Sequence, residues 1–513
     1  MIRVTRWLVG FVALATVSDW SAWRSRTEPI SASAVSLEID TSAVQAEVDE
    51  RFLSVAVDIA NVVGGAFWDP DRNAGAMATA QVPPYDFSRP ALRSLAEALA
   101  PAYLRVGGTD ADRTVYEAAG APADVGAGRW RLSRKTWQNV SRFAQDVGFR
   151  LIFTLNAGEA ARDASGRWDP ASARGLIEEA VAAGDPVDVW EFGNELNVFP
   201  LLHHRWLSPR AYADDLQLVR WLLRDTAPKA QLAGPAVAFW PLLGEGLPFY
   251  GRFMRAGGDL LDIVTWHYYP SQSYRCPVAT QRAKAGEVLR PRQLAEIDRW
   301  AAFVEDTRDQ HGPQAAVWLG ETGGAQCGGE PGASDRFASS LWWVDQLGRI
   351  ARRGQPIVVR QTLSGGDYGL IDDETLAPNP DYWASLLWRR LMGTRVLPTQ
   401  LRTGLGPVSA YAHCTRGEAA PGSVTLALVN VHPTRPIDVD LPDLGPEARL
   451  YLVQASSPEA HRVTLNGKPL ALTAEGAVPP TEGVHVHHPQ LLSLPPHAFA
   501  FVTFPQAAAS ACR

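Results

Sequence analysis

The feature that most constrains the fold of this 513-residue chain is a series of eight short apolar, β-branched runs, separated by stretches long enough for a helix. Serines that favour a helix start precede several of the amphipathic intervals, as at Ser88, Ser133 and Ser208. Strands that alternate with helices imply a parallel sheet, and eight strands close a (β/α)8 TIM barrel. The predicted strands are 53–60, 103–108, 150–155, 187–192, 231–236, 262–268, 315–320 and 356–362.

The last quarter of the chain has a different pattern. Alternating apolar runs at 423–430, 450–453 and 498–504 are separated by Pro, Gly and Asn, which is typical of antiparallel strands. The sequence therefore predicts a (β/α)8 barrel domain over 49–397 and a C-terminal antiparallel β-sandwich domain over 398–513. A strand at 34–39, within segment 30–48, alternates similarly and is expected to join the sandwich.

The first residues are typical of an export signal. Arg3 and Arg6 precede an apolar run at 7–17, and small residues follow, so 1–22 is predicted to be a signal peptide. The run is too short to span a bilayer, and no later run approaches about 20 uninterrupted apolar residues. We therefore expect a secreted or periplasmic protein without stable membrane insertion.

Composition restricts the partners. The formal net charge is -7, so the chain lacks a general basic surface and is not expected to bind nucleic acid. Four cysteines, Cys276, Cys327, Cys414 and Cys512, suit two disulfides in an exported chain. They form no CxxC pair, which argues against a zinc site. We expect a monomer without a metal or a cofactor.

Two glutamates stand where predicted strands end. Glu195 follows the fourth strand in the sequence WEFGNELN, and Glu321 closes the seventh in VWLGET. Barrel closure brings the carboxyl ends of all strands to one rim. Glycoside hydrolysis needs two such carboxyls, one protonated to assist the leaving oxygen and one ionised to attack or to activate water. An isolated glutamate is more often a surface or capping residue, but the pair predicts a glycosidase.

Other polar residues end the remaining strands. His267 alone is a weak signal, because a lone His is more often a satisfied core residue. Glycines at 107–108 and 365–366 would let a ligand approach the backbone. The further candidates at strand ends are Asp58, Thr109, Tyr269, Gln361 and Tyr368.

The same residues resemble glycoside hydrolase family 79, the heparanase family. Agreement of many blocks in order is more specific than any one motif. The similar blocks are FLSV (52–55), PAYLRVGGT (101–109), WEFGNELN (190–197), VTWH (264–267), VWLGET (317–322), VRQ (359–361), PDYW (380–383), YAHC (411–414) and AC (511–512).

The resemblance implies a retaining endo-β-glucuronidase that cuts internal glucuronate linkages of heparan sulfate or heparin-like glycosaminoglycans. It assigns Glu195 as the general acid/base and Glu321 as the nucleophile. The residues that it places around the sugar are Asp58, Thr109, Asn194 and Gln361 at the hydroxyls, Tyr269 at the nucleophile, and Tyr368 with Gly328 and Gly366 at the glucuronate carboxylate.

The resemblance also implies that Cys414 pairs with Cys512 in the sandwich domain. Cys327 stands where the carboxylate loop of the family has a Gly. We therefore hypothesise a second disulfide, between Cys276 and Cys327, that joins the loops after strands six and seven and braces the carboxylate site.

Basic residues between strands two and three have two interpretations. Arg129, Arg131 and Lys135 are either a solvated charged face or a sulfate-binding rim, since Arg pairs well with oxyanions. Two alternatives to the endo mode are kept. One is an exo-acting β-glucuronidase of the same family, and the other is a non-catalytic exported glycan-binding protein.

Overall fold

A computed structural model describes residues 23–24 and 34–513, apart from 118–125, 127, 186, 403–405 and 418–420. The predicted signal peptide, 1–22, lies outside these residues. Within the described ranges, no helix has the length and apolarity needed to cross a membrane.

Eight parallel strands close into a barrel in chain order, because the eighth strand pairs with the first as well as with the seventh. The predicted barrel is confirmed, and each predicted strand overlaps one observed strand. The barrel strands are β1 Leu53–Asp58, β2 Ala102–Gly107, β3 Phe149–Leu155, β4 Val187–Phe192, β5 Gln231–Phe239, β6 Ile263–Tyr268, β7 Ala316–Thr322 and β8 Val358–Arg360.

Helices cover the outside of the barrel. Ser133 and Ser208 cap their helices through side-chain oxygens that accept backbone N–H bonds, as predicted. The expectation for Ser88 is wrong, because its hydroxyl donates to Asp86, and the helix begins at Pro90 with Arg89 at the N-cap and no side-chain cap. The α-helices in the described part of the chain are Ile59–Val63, Pro90–Glu97, Arg134–Asp146, Ala171–Ala183, Phe199–Leu202, Pro209–Thr226, Tyr250–Gly257, Pro291–His311, Phe337–Arg352 and Pro380–Leu391.

Two sheets form the second domain and pack face to face around Leu37, Leu426 and Leu492. The nine-stranded sheet contains Ala46–Glu47, Met392–Leu397, Val408–Thr415, Val424–Asn430, Glu447–Gln454, Thr464–Leu465, Lys468–Pro469, Val484–His487 and Ala498–Phe504. The five-stranded sheet contains Trp23–Arg24, Val35–Ile39, Thr399–Leu401, Ile437–Asp440 and Leu491–Leu494.

The structure corrects two details of the sandwich. Met392–Leu397 pairs within the nine-stranded sheet, so the predicted boundary at 397/398 lies one strand too late. The helix Pro380–Leu391 runs directly into this strand, which left no linker in the sequence to mark the boundary. The N-terminal strand Val35–Ile39 joins the other sheet, but its pairing with Ile437–Asp440 is parallel rather than antiparallel.

The sandwich packs directly on the barrel helices. Tyr411 of the nine-stranded sheet donates a hydrogen bond of 2.7 Å to Asp345 on the helix Phe337–Arg352. A Cβ at Gly348 of that helix would lie 2.2 Å from the Tyr411 ring, so only glycine permits this close approach. The second domain therefore supports the barrel through the helix Phe337–Arg352.

Two short pairs of strands are inserted into the loops at that rim. The hairpin Ala66–Trp68 with Thr79–Gln81 follows β1 and carries Trp68 to the cleft. The parallel pair Thr114–Tyr116 and Trp130–Leu132 follows β2.

Candidate active site

Glu195 and Glu321 meet at the carboxyl-terminal rim of the barrel. One carboxylate oxygen of each and one ring nitrogen of His267 all lie within 4.8 Å of one another. Glu195 follows β4 in a left-handed turn, with φ 51°, and its backbone N–H donates a hydrogen bond of 2.8 Å to Ala236. The turn after β4 is thereby fixed to β5, and it aims Glu195 across the cleft.

Glu321 accepts hydrogen bonds from two neighbouring side chains, Arg105 and Tyr269. Arg105 Nη1 donates to Oε2 at 2.7 Å, and the Tyr269 hydroxyl donates to Oε1 at 2.6 Å. Burial raises the pKa of Glu321, but positive charge on His267 and Arg105 and these hydrogen bonds lower that pKa below its ordinary value. The carboxylate is therefore kept ionised, as a nucleophile requires.

Arg105 belongs to a buried polar network inside the barrel. Its Nε donates to Glu191 at 2.9 Å and its Nη2 donates to Asn194 at 2.9 Å. The hydroxyls of Thr154 and Thr265 also donate to Glu191, at 2.7 and 2.9 Å. The network satisfies each buried charge and fixes the Arg105 fork against Glu321.

The sequence interpretation missed Arg105 and Glu191. The available signal was a charged residue inside a largely apolar strand, Arg105 in β2 and Glu191 in β4, although β4 also contains Asp188 near its start. Charged residues are rarely fully buried unless they are paired, so two of opposite sign in such strands indicate an interior ion pair. His267, judged a weak candidate, lies between the two glutamates, with Nδ1 3.2 Å from Glu195 and 3.8 Å from Glu321.

Asp58 lies at the end of β1 and faces the cleft. Burial raises its pKa to about 8, although a hydrogen bond from the backbone of Ala60 opposes the shift; Asp110 and Glu321 add to it. Asp58 can approach the next strand because Gly108 has no side chain, since a Cβ there would lie 2.2 Å from its carboxylate oxygen. A protonated Asp58 both donates and accepts, which suits a sugar hydroxyl.

Gln361 and Tyr368 line the opposite wall. Gln361 Nε2 lies 3.5 Å from the Tyr368 hydroxyl. Its Oε1 is buried without a hydrogen-bond partner in the described residues. The predicted Gly328 and Gly366 are adjacent, since the carbonyl of Gly328 accepts from Asp367 at 2.8 Å.

Both expected disulfides are present. Cys276–Cys327 joins the loops after β6 and β7, and both cysteines line the cleft. Cys327 directly precedes Gly328 in the chain. Cys414–Cys512 ties the C-terminus to the sandwich, and neither cysteine is in the described cleft lining.

The structure brings together most of the predicted site. The predicted residues that line the cleft are Asp58, Thr109, Asn194, Glu195, Tyr269, Glu321, Gln361 and Tyr368. Gly366 instead lines a neighbouring cavity. Arg129, Arg131 and Lys135 lie on and beside the strand Trp130–Leu132, outside the cleft lining, so their sulfate-binding role stays a prediction.

The carboxylate pair and His267 could also offer three ligand atoms to a metal ion. The expected absence of a metal and of a cofactor stays a prediction. Each oxygen of Glu321 already accepts one hydrogen bond, Oε2 from Arg105 and Oε1 from Tyr269.

The closed barrel with two facing glutamates at its strand ends defines the chain as a glycoside hydrolase. The model of the N-terminal domain of glycosyl hydrolase family 79 matches residues 34–348, so the chain belongs to that family. Mouse heparanase (Mus musculus) is 28% identical, over 82% of this chain and 87% of its own length. A baicalin-β-D-glucuronidase from Scutellaria baicalensis is also 28% identical, over 82% and 84%.

Among solved structures, an α-L-arabinofuranosidase from Thermotoga maritima has a TM-score of 0.67 at 13% identity. The alignment covers 92% of this chain and 99% of that one. At this identity the likeness concerns the fold, and it extends through the sandwich as well as the barrel.

Proposed function

We propose that the chain is a retaining β-glucuronidase in which Glu195 is the general acid/base and Glu321 the nucleophile. The observation that carries this proposal is the short gap between the two carboxylates, whose nearest oxygens lie within 4.8 Å. Retaining enzymes place their carboxyl groups about 5–5.5 Å apart, whereas inverting enzymes leave about 6.5–9.5 Å for a water molecule.

In the first step, the ionised Glu321 attacks the anomeric carbon. The bond from that carbon to the glycosidic oxygen breaks, and Glu195 transfers its proton to the departing oxygen. The products are a neutral alcohol and a glucuronosyl ester of Glu321. Arg105 and Tyr269 hold the nucleophile in line, which reduces the entropic cost of attack.

In the second step, water attacks the same carbon from the face that the alcohol left. Glu195, now ionised, accepts the water proton, and the carboxylate of Glu321 departs. His267 contacts both glutamates, so it lies beside the negative charge when that charge is on Glu321 and again when it is on Glu195. Two inversions give net retention.

Glucuronate as the sugar is supported by the names of the two relatives, a heparanase and a β-D-glucuronidase. Within this chain, Tyr368 lines the cleft beside the loop at Gly328, and Asp58, Thr109, Asn194 and Gln361 line the same cleft, where we assign them to the sugar hydroxyls. The Cys276–Cys327 disulfide holds this loop.

Two modes of action follow from the sequence. The first is endo cleavage of heparan sulfate or a similar sulfated glycosaminoglycan, by an exported monomer. The second is exo cleavage of a terminal glucuronate, and one observation favours it: no Lys or Arg is among the described residues that line the cleft. A sulfated chain on both sides of the cut would need such cations.

Hydrolysis of 4-nitrophenyl β-glucuronide tests the reaction class, and proton NMR of the first product tests stereochemistry. We expect the β-anomer of glucuronic acid to form first and to mutarotate later. Initial release of the α-anomer would contradict retention. Size analysis of heparan sulfate after incubation separates the modes, since endo action shortens the polymer before free glucuronate accumulates.

A further inference from the structure

The cleft has an apolar wall on the side of Glu195. We name it the apolar rim and define it as Val198, Leu201, Leu202, Trp240, Leu243 and Val278, from the loops after β4, β5 and β6. Leu201, Leu243 and Val278 are 56%, 59% and 66% exposed. Exposed aliphatic side chains gathered at one cleft mouth indicate a binding surface, whereas isolated ones do not.

Hydrogen bonds hold the apolar rim in place. The backbones of Trp240 and Gly244 exchange two bonds, of 2.8 and 2.9 Å, and form a tight turn that presents Leu243. Asn197 donates to carbonyls on both sides of that turn, at Ala238 and at Glu245. The leucines are therefore presented by a fixed scaffold, which lowers the entropic cost of binding.

The loop after β6 is fixed to the same turn. The hydroxyl of Thr280 donates to the carbonyl of Pro241 at 2.9 Å. The Cys276–Cys327 disulfide ends two residues before Val278 and anchors the other side of this loop. All three loops thus form one continuous surface beside the acid.

Cations near the cleft are engaged elsewhere. Arg275 donates to Asp367 at 2.9 Å and to the carbonyls of Asp69 and Gly329, and it lines the neighbouring cavity rather than the apolar rim. The described lining of the cleft has carboxylates at Asp58, Glu195 and Glu321 and no Lys or Arg. An anionic group bound beside the acid would therefore find no cationic side chain in that described lining to pair with.

The general acid fixes which part of a substrate meets this wall. Glu195 must lie within hydrogen-bond reach of the leaving oxygen, and the group attached to that oxygen continues away from the sugar. Val198 to Leu202 follow Glu195 directly in the chain, and Trp240 and Leu243 stand on the adjacent loop. The leaving group therefore enters the apolar rim.

Given the proposed β-glucuronidase reaction, we infer that the apolar rim selects an uncharged, apolar leaving group, such as an aromatic or polycyclic alcohol carried as its glucuronide. The chemistry is burial of apolar surface against leucine, valine and tryptophan. Sugar subsites need hydrogen-bonding groups for ring hydroxyls, and this wall offers few of them. A sulfated residue is disfavoured there.

Two aryl glucuronides with phenols of similar acidity test this. One is 4-butylphenyl β-glucuronide and the other is 4-(sulfomethyl)phenyl β-glucuronide, so leaving-group chemistry is matched and only the polarity of the tail differs. We expect kcat/KM to be at least about tenfold higher for the butyl compound, in the range that a few buried methylenes give.

Val278→Lys should lower the ratio of kcat/KM for the butyl compound to kcat/KM for the sulfomethyl compound severalfold, because it places a cation in the apolar rim. Val181→Lys is the matched control, since Val181 is 53% exposed on the helix Ala171–Ala183 and outside the cleft lining; its ratio should equal that of the parent. Both positions are exposed, so neither change disturbs the core.

The outcomes separate the two proposals. No hydrolysis of either compound or of heparan sulfate sinks the β-glucuronidase reaction itself. Three outcomes would overturn the preference for an apolar leaving group and leave the reaction intact. They are equal kcat/KM for the two compounds, a ratio of the two kcat/KM values that Val278→Lys does not change, and faster turnover of heparan sulfate oligosaccharides. A dimer in solution that Val278→Lys dissociates would assign the rim to a second copy of the chain instead.

Discussion

The two sides of the cleft are built in opposite ways. Around the proposed sugar position the side chains are polar and mostly buried. The single side chain of Arg105 donates hydrogen bonds to Glu191, Asn194 and Glu321. On the side next to Glu195, which we assign to the leaving group, the apolar rim is mostly aliphatic. Three of its side chains are exposed, and the described lining there has no Lys or Arg. One side is specified by individual hydrogen bonds and the other by shape and apolar area.

This difference indicates which side of the cleft determines the rate of reaction and which side determines selectivity among leaving groups. A buried polar site rejects ligands that leave a hydrogen bond unmade, because each unsatisfied group costs about 1–3 kcal/mol. Apolar contacts are non-directional and tolerate many shapes. Substitutions on the sugar side should therefore change the rate of reaction, and substitutions in the apolar rim should change the preference among leaving groups.

The largest expected effect is that of Glu321→Gln. Loss of the nucleophile should lower kcat on 4-nitrophenyl β-glucuronide by at least about 10⁴-fold. Leu201→Ala, in the apolar rim, should lower kcat/KM by no more than about tenfold. Glu178→Gln on the exposed face of the helix Ala171–Ala183 serves as the carboxylate control and should retain full activity. Comparable losses of activity in Glu321→Gln and Leu201→Ala would contradict the division of the cleft into a polar side that determines rate and an apolar side that determines preference.

The next effect is that of Arg105→Met, which removes the cation beside Glu321. Because Arg105 lowers the pKa of Glu321, its removal raises that pKa, and the acid limb of the kcat/KM profile should move to higher pH. We expect kcat/KM at the optimum to fall by about 10²-fold, as misplacement of a reacting group does. Thermal unfolding monitors whether the variant is folded.

Thr154→Val is the matched control for Arg105→Met. It removes one hydrogen bond to Glu191 and leaves the contact between Arg105 and Glu321 in place. Its acid limb should stay where it is in the parent. If both variants shift the limb equally, the whole network sets the pKa of Glu321 and Arg105 has no special part.

The sequence predicted the polar side of the cleft far better than the apolar side. Glu195 and Glu321 could be found because a charged residue at a strand end breaks an apolar pattern, and strand ends meet at one rim. Leu243 and Val278 could not, since exposure of an aliphatic residue in a loop depends on tertiary packing. Loops after β5 and β6 have no periodicity from which to read it.

Two other differences have the same origin. Arg129, Arg131 and Lys135 form a basic cluster in sequence, but the strand Trp130–Leu132 lies outside the cleft lining. Arg105 has its role only through contacts with residues far away in the chain. Local composition indicates charge, and the three-dimensional arrangement decides whether that charge faces a ligand.

A third prediction concerns stability and pH at Asp58. Its folded-state pKa of about 8 lies above its ordinary value of 3.8, so the folded state binds more protons than the unfolded state between those values. The free energy of unfolding should therefore fall as pH rises through this window. Asp58→Asn should remove a loss on the order of 4 kcal/mol between pH 5 and 8, about 1.4 kcal/mol for each pH unit. Urea unfolding at both pH values measures it, and identical pH dependence in parent and variant would contradict the assignment.

The smallest effect on activity should distinguish the two disulfides. Replacing Cys276 and Cys327 with Ala loosens the loop at Gly328 that supports the sugar side, so KM should rise by about three- to tenfold with little change in kcat, because binding is weakened equally in ground and transition states. Replacing Cys414 and Cys512 should lower the free energy of unfolding by about 2–4 kcal/mol and leave KM unchanged. Since Cys276 also precedes Val278, the butyl preference should weaken in the first variant alone. A KM that rises equally in both would mean that global loosening, rather than the position of the loop, governs binding.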